Sequence, residues 1–181
     1  PFSSALRMSN IKNYKYDWIW DKNKGGNFFN AKIMPMKEHE NISIFGINKI
    51  NFYPIKEQRM DSGRSAVSKY KLNGGMIKND SVYGKTKKIK GDYDLLRYPR
   101  SIQKFKVERG LHPTQKPVAL MEYLIKTYTN ENETVLDFTM GSGSTMVACV
   151  NTNRNGIGIE MDTNYFKVAE QRIKETEYKL F

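Results

Sequence analysis

The chain has 181 residues, 39% of them apolar, with 30 Lys or Arg against 19 Asp or Glu and a formal net charge of +11. That content supports one core with a smaller lobe rather than two full domains, and no apolar run approaches the roughly 18 residues that span a bilayer. One cysteine, Cys149, excludes an internal disulfide, and His39 and His112 beside it are too few for a zinc site, so no metal is expected. No export signal opens the sequence, which makes a cytoplasmic protein without membrane attachment the expectation.

The first residue is Pro1 rather than Met, so the sequence reads as a fragment of something longer. Residues 14–20, Tyr-Lys-Tyr-Asp-Trp-Ile-Trp, alternate and are rich in aromatics, which predicts a strand. Asp21 to Asn27, with Gly25-Gly26, predicts a loop. Asn41 to Gly46 predicts a second strand, pairing antiparallel with the first. Core packing is the expected role of at least one of Trp18 and Trp20, and a hydrogen-bonded structural role that of His39.

From Asn48 to Gly110 periodicity fades and charge accumulates. Residues 48–110 hold sixteen Lys or Arg against six Asp or Glu, whereas the rest of the chain holds fourteen against thirteen. Nearly all the excess therefore lies in one segment, an electrostatic footprint for a polyanion. Tyr53, Tyr70, Tyr83, Tyr93 and Tyr98 interleave with the cations, and Lys85, Lys87, Lys88 and Lys90 form a dense run with Arg97 and Arg100 following. Cations of that kind contact phosphates and the aromatics can stack on bases, so these six are the candidate DNA-binding residues. A solvated loop is the plainer alternative.

Pro117 is placed as the first residue of a helix whose apolar stripe is Val118, Met121, Leu124, Ile125 and Tyr128. Thr134-Val135-Leu136 predicts a strand covered on both faces. Gly141 and Gly143 bracket a tight turn where backbone amides can approach a ligand, and the helix from Ser144 to Val150 sets Val147 and Val150 on one face. Gly156 to Ile159 predicts another strand ending on Glu160, where an acid can accept both hydroxyls of a ribose. A last helix starts at Asp162 as N-cap and buries Tyr165, Phe166, Ala169 and Ile173, with Lys174 and Lys179 toward its end.

The glycine turn needs its neighbours to be interpreted. The third glycine of the dinucleotide fingerprint falls on Met146, too bulky for close helix–strand packing, and no Lys precedes the hydroxyl residues as a P-loop requires. Asp137 directly before the turn repels a pyrophosphate and attracts cationic groups. S-adenosylmethionine, with a ribose at one end and an ammonium and sulfonium at the other, fits these charges best. The competing reading is that Asp137 only caps the turn.

Asp137-Phe138-Thr139-Met140-Gly141-Ser142-Gly143-Ser144-Thr145 resembles the cofactor loop of the amino-group DNA methyltransferases, commonly Asp-Pro-Phe-Met-Gly-Ser-Gly-Thr-Thr. His112-Pro113-Thr114-Gln115-Lys116-Pro117 resembles the hexapeptide that precedes that loop in the same family, and Trp20-Asp21-Lys22 and His39-Glu40-Asn41-Ile42 are similar to its earlier strands. Hexapeptide before loop is the order of the permuted β class, in which the catalytic half comes first, target recognition second and the cofactor half last. The resemblance implies an α/β, Rossmann-like methyltransferase sheet, incomplete here, with an inserted basic recognition lobe. Residues 1–47 would close the catalytic half, 48–110 form the recognition lobe and 111–181 the cofactor half. It further implies S-adenosylmethionine as cofactor, double-stranded DNA as partner, and His112, Thr114, Gln115, Lys116, Pro117, Asp137, Thr139, Gly141, Gly143, Ser144, Thr145, Glu160 and Met161 as cofactor-binding residues.

The family's catalytic tetrapeptide, an Asp-Pro-Pro-Tyr type, needs adjacent prolines, and no two of Pro1, Pro35, Pro54, Pro99, Pro113 and Pro117 are adjacent. No catalytic residue is therefore assigned in this chain. The expectation is a piece of a restriction-modification or phage DNA methyltransferase, with adenine N6 favoured over cytosine N4. Such a piece would associate with another copy or with a missing N-terminal catalytic segment. A non-catalytic DNA-binding remnant and an RNA methyltransferase are the alternatives.

Overall fold

The computed structural model describes residues 2–58 and 96–178. Lys85, Lys87, Lys88, Lys90, Tyr70, Tyr83, Tyr93 and Lys179 lie outside them. The chain divides into two compact units, residues 1–53 with 100–181, and 54–99.

In the larger unit, helix α1 (Phe2–Ser9) precedes a long strand β1 (Tyr14–Gly26), which pairs antiparallel with β2 (Lys37–Phe45). The pairing sets Asp17 opposite Ser43 and Asp21 opposite His39. Of the loop expected at Asp21 to Asn27, the stretch as far as Gly26 is strand instead, because the ladder resumes at Gly26 opposite Lys37 after an irregularity. A flexible glycine pair does not break a strand whose partner supplies the hydrogen bonds. Arg7 ties α1 to β1 through a 2.6 Å ion pair with Asp17.

The described part of the 54–99 unit is a two-stranded antiparallel ladder of β3 (Glu57–Gln58) and β4 (Leu96–Arg97). There Arg97 donates to Glu57 Oε2 at 3.1 Å, and the Lys56 ammonium lies 5.8 Å from the Tyr98 ring centre.

Back in the larger unit, β5 (Ile102–Lys104) adds to β1 in parallel, giving the sheet order β2-β1-β5. This short strand lies in a stretch where the sequence shows no periodicity. Helix α2 (Val118–Tyr128) then joins two cores. Its Tyr123 and Tyr128 face the first sheet, where Trp18 meets Tyr123 edge-on at 5.8 Å and donates Nε1–H to the Tyr128 hydroxyl at 2.5 Å. Both tryptophans are core residues, Trp18 at 4% and Trp20 at 2% exposure, and Trp20 Nε1–H is satisfied by the Phe105 carbonyl. The other side of α2 packs Ile125, Val118 and Met121 into a cluster with Met140, Met146, Ala148, Cys149 and Ala169.

That second cluster lies under a parallel pair, β6 (Thr134–Asp137) and β7 (Asn155–Gly158), with α3 (Ser144–Asn151) between them in sequence and α4 (Thr163–Tyr178) after them. Met146, which spoils the dinucleotide fingerprint, is accommodated from the strand side. A Cβ on Gly156 would lie 2.8 Å from its sulfur, and one on Gly158 would lie 3.0 Å from its Cγ. The small residue needed for close helix–strand packing has moved from helix to strand. Burial raises the Cys149 thiol to about 11, as expected of a packing residue.

Two burial expectations fail. Among the described residues only one face of the β6–β7 pair is covered: Val135 packs into the core, while Leu136 (57% exposed) and Ile157 (53%) face outward. Apolar content alone cannot report how many layers are present. Phe166 is also exposed, because α4 turns Ala169 and Ile173 inward and only a narrow stripe meets the core. No described helix is long and apolar enough to cross a membrane.

Candidate functional site

The C-terminal ends of β6 and β7 hold the acids that the sequence singles out. Asp137 closes β6, and its carboxylate accepts the Thr139 backbone N–H at 3.1 Å and the Thr145 hydroxyl at 2.6 Å. Gly141 and Gly143 both adopt positive φ, +54° and +77°, a region that glycine enters without strain. Between them Ser142 is buried, and Arg172 from α4 donates to its carbonyl at 2.5 Å and lies 3.4 Å from the Ser144 hydroxyl. No sequence motif marks Arg172. It sits in an ordinary helical stretch, and only the fold brings it under the turn.

Glu160 lies two residues beyond β7, and its carboxylate bridges two loops. One oxygen accepts the Gly141 N–H at 2.9 Å and the other the Asp162 N–H at 2.9 Å. The Asp162 amide above all, with those of Gly141 and Met161 and the nearby His112 ring, holds the carboxyl below its ordinary value despite some desolvation. Asp162 in turn caps α4, accepting from Asn164 and Tyr165 N–H. Met161 is almost fully exposed beside Glu160, and Phe138 is exposed beside Asp137.

The hexapeptide folds back onto this turn. A Cβ on Gly141 would lie 3.3 Å from the His112 ring, and the same ring meets Tyr165 edge-on at 4.3 Å. Thr114 N–H and hydroxyl both reach His112 Nδ1. Gln115 accepts the Leu111 N–H and donates to Glu108, whose other oxygen accepts the Val118 N–H. Pro117 therefore stands at the N-cap, with ψ at 135°, and the helix begins one residue later than the sequence suggests. Proline has no side-chain acceptor with which to cap the first turn, so the Glu108 carboxylate takes the Val118 N–H from outside the helix.

Lys116 does not reach the glycine turn's acids. Its ammonium pairs with Glu40 at 2.9 Å and lies 5.7 Å from the Trp20 ring centre. Lys22 pairs with the same Glu40 at 3.2 Å. Burial opposes ionisation of Glu40, but the Lys116 and Lys22 ammoniums outweigh it and hold the carboxyl below its ordinary value. These groups line a cleft of about 740 Å³ that also includes His112, Thr114 and Tyr165. His39 is exposed on β2, and its ring has no partner among the described residues, so the expected structural hydrogen bond is not made. Arg100 is exposed, while Arg97 is engaged by Glu57.

The family model for N6 and N4 DNA methylases matches residues 3–171. The chain belongs to that DNA methylase family. Among its relatives, the Type II methyltransferase M.HpaI of Haemophilus parainfluenzae is 43% identical over 73 residues, covering 40% of this chain and 23% of that protein. The Type II methyltransferase M1.MboII of Moraxella bovis is 28% identical over 166 residues, 89% of this chain and 63% of its own. A crystal structure of M1.HpyAVI in complex with SAM gives a TM-score of 0.59 at 28% identity, covering 95% of this chain and 69% of that one. The chain spans less than two thirds of the length of these curated relatives.

The architecture of this DNA methylase chain is accordingly α/β and Rossmann-like, with a sheet that is incomplete within the described residues. Its acids fit S-adenosylmethionine on chemical grounds. Each carboxylate oxygen of Asp137 and Glu160 uses one of two lone pairs internally, leaving capacity for ligand hydroxyls or an ammonium. Exposed Phe138 and Met161 beside them offer apolar surface to a planar ring. Ser144 and Thr145 spend their hydroxyls on Arg172 and Asp137 and act on the turn itself.

Proposed function

We propose that this chain supplies the cofactor site and the DNA-recognition lobe of a site-specific DNA methyltransferase of restriction-modification type, working in the cytoplasm. The observation that carries this reading is the paired carboxylate arrangement, Asp137 and Glu160 flanking a positive-φ glycine turn. S-adenosylmethionine, when bound, supplies the methyl group. Glu160 holds the ribose hydroxyls, and Asp137 draws the cationic end. His112 and Tyr165 wall the turn, while Thr114, Gln115, Lys116 and Pro117 shape the adjoining cleft. Thr139, Ser144 and Thr145 keep the turn in its binding conformation.

The basic segment at 48–110 binds duplex DNA through phosphate contacts, with Lys85, Lys87, Lys88, Lys90, Arg97 and Arg100 as its cations. An exocyclic amine is a poor nucleophile because its lone pair is delocalised into the base, so acceptors must engage its N–H groups. The tetrapeptide that does this in the family does not occur among the 181 residues. We propose that a separate polypeptide segment supplies the catalytic acceptors by docking on this chain. Adenine N6 is the favoured target, although the family includes both N6 and N4 enzymes.

The test is to incubate the chain with methyl-labelled S-adenosylmethionine and unmethylated DNA, digest the DNA and identify any labelled nucleoside. No label from the chain alone, with labelled N6-methyladenine once a segment carrying the tetrapeptide is joined to it, is the expected result. Label from the chain alone would sink the divided-catalyst reading. Calorimetry with the cofactor separates the second reading, a DNA-binding remnant, which predicts salt-sensitive DNA binding without cofactor binding.

A further inference from the structure

The turn between β1 and β2 presents a feature that the proposed function does not use. Phe28 and Phe29 stand side by side in a short 3-10 turn, Phe28–Asn30, at 76% and 99% exposure. Their rings touch each other edge to face at 6.5 Å. Large aromatics left in water on a well-knit turn call for an explanation, because burial would favour the folded chain.

The turn is built to hold them out. Asn27 takes a left-handed conformation, φ +65°, and its side-chain oxygen accepts from Asn30 Nδ2 at 2.9 Å while its amide donates to the Met34 sulfur at 3.4 Å. The Phe28 carbonyl accepts the Ala31 N–H, and the Asn30 carbonyl accepts those of Ile33 and Met34. Met36 packs over Gly25 at the base, where a Cβ would lie 3.1 Å from its side chain.

Charge says what the rings meet. From Asn23 to Lys37 the sequence has Lys24, Lys32 and Lys37, all three exposed, and no acid. A cationic collar around exposed aromatics suits a polyanion with stackable faces, which describes nucleic acid. Position adds to this. Lys24 and Gly26, on the strand that leads into the turn, line the 740 Å³ cleft shared with His112 and Lys116.

We propose that Phe28 and Phe29 form an aromatic wedge that enters duplex DNA and takes the stacking position vacated by the extruded target base. The proposal rests on the DNA-methylating reading above. Extruding a base costs its stacking on both neighbours, and an inserted ring restores part of that contact. The collar lysines neutralise the phosphates that the insertion spreads.

The test uses the 181-residue chain, a mixed-sequence duplex, and the same duplex with a central abasic site where the stacking cost is already removed. The wild-type chain should bind the abasic duplex about fivefold to a hundredfold more tightly, the range of one base–aromatic stack. Phe28→Ala and Phe29→Ala should remove that preference without changing circular dichroism, and Phe29→Tyr should keep it. Phe29→Trp adds a reporter, since Trp18 and Trp20 are buried. Its emission should become quenched and shielded from acrylamide on the abasic duplex.

Equal affinity for both duplexes, or a preference that survives both alanine substitutions, would overturn the wedge while leaving DNA binding intact. Absence of salt-sensitive binding to either duplex would overturn the DNA reading and the wedge together. Shielding of the reporter by phosphatidylglycerol vesicles but not DNA would assign the tip to a membrane surface. Shielding that grows with protein concentration alone would assign it to a contact between copies. Either result overturns the proposal.

Discussion

Glu160 spends its charge on two backbone amides and still has lone pairs for a ribose, so its role divides between shape and binding. Glu160→Gln keeps the size but loses the charge, and one of its two positions becomes a donor facing an N–H. Cofactor affinity should fall about tenfold or more, the scale of a charge-assisted hydrogen bond, as calorimetry would measure. Gly143 makes the complementary point about the backbone. Its φ is +77°, and an added Cβ would lie 2.8 Å from that of Ala169. Gly143→Ala should therefore cost about 1–3 kcal/mol in urea unfolding, through strain and overpacking together. Retained stability would mean that α4 can slide away from the turn.

Among the elements, α2 has the widest reach, because it serves the aromatic cluster on one side and the methionine-rich cluster on the other. Tyr128 is its hinge to the first sheet. Its hydroxyl accepts Trp18 Nε1–H and lies 3.0 Å from the Tyr16 hydroxyl. Tyr128→Phe leaves a buried indole N–H without its acceptor and should destabilise by about 1–3 kcal/mol, with little effect on cofactor affinity. A thermal denaturation series against calorimetry checks both halves of that expectation. The β6–β7 pair shows what sequence misses at this scale. Its apolar runs are real, yet among the described residues one face has no cover, since coverage depends on elements that a strand's own residues do not encode.

At the scale of the molecule, Glu40 joins the first sheet to the hexapeptide, pairing with Lys22 of β1 and Lys116 before α2. Its carboxyl is held below the ordinary value of 4.5. The stability it contributes is thus fully present above 4.5 and is lost as pH falls through the lower folded value. The thermal midpoint should drop on acidification more steeply for the wild type than for Glu40→Gln, and added salt should narrow the difference. Identical pH profiles would show that the two ion pairs carry no net stability.

The sequence alone determined the local chemistry. Asp137, the glycine pair and Glu160 are legible because turn geometry and strand ends depend on residues adjacent in the chain. The Asp162 cap and the antiparallel β1–β2 pairing are legible for the same reason, since short-range patterning fixes both. Tertiary structure decided which groups those residues would meet. Arg172 under Ser142, Glu108 capping α2, Glu40 between two lysines and Met146 seated against strand glycines all join residues that lie on different elements or loops. No local period records such meetings, because they depend on how helices and strands stack once the chain has closed on itself.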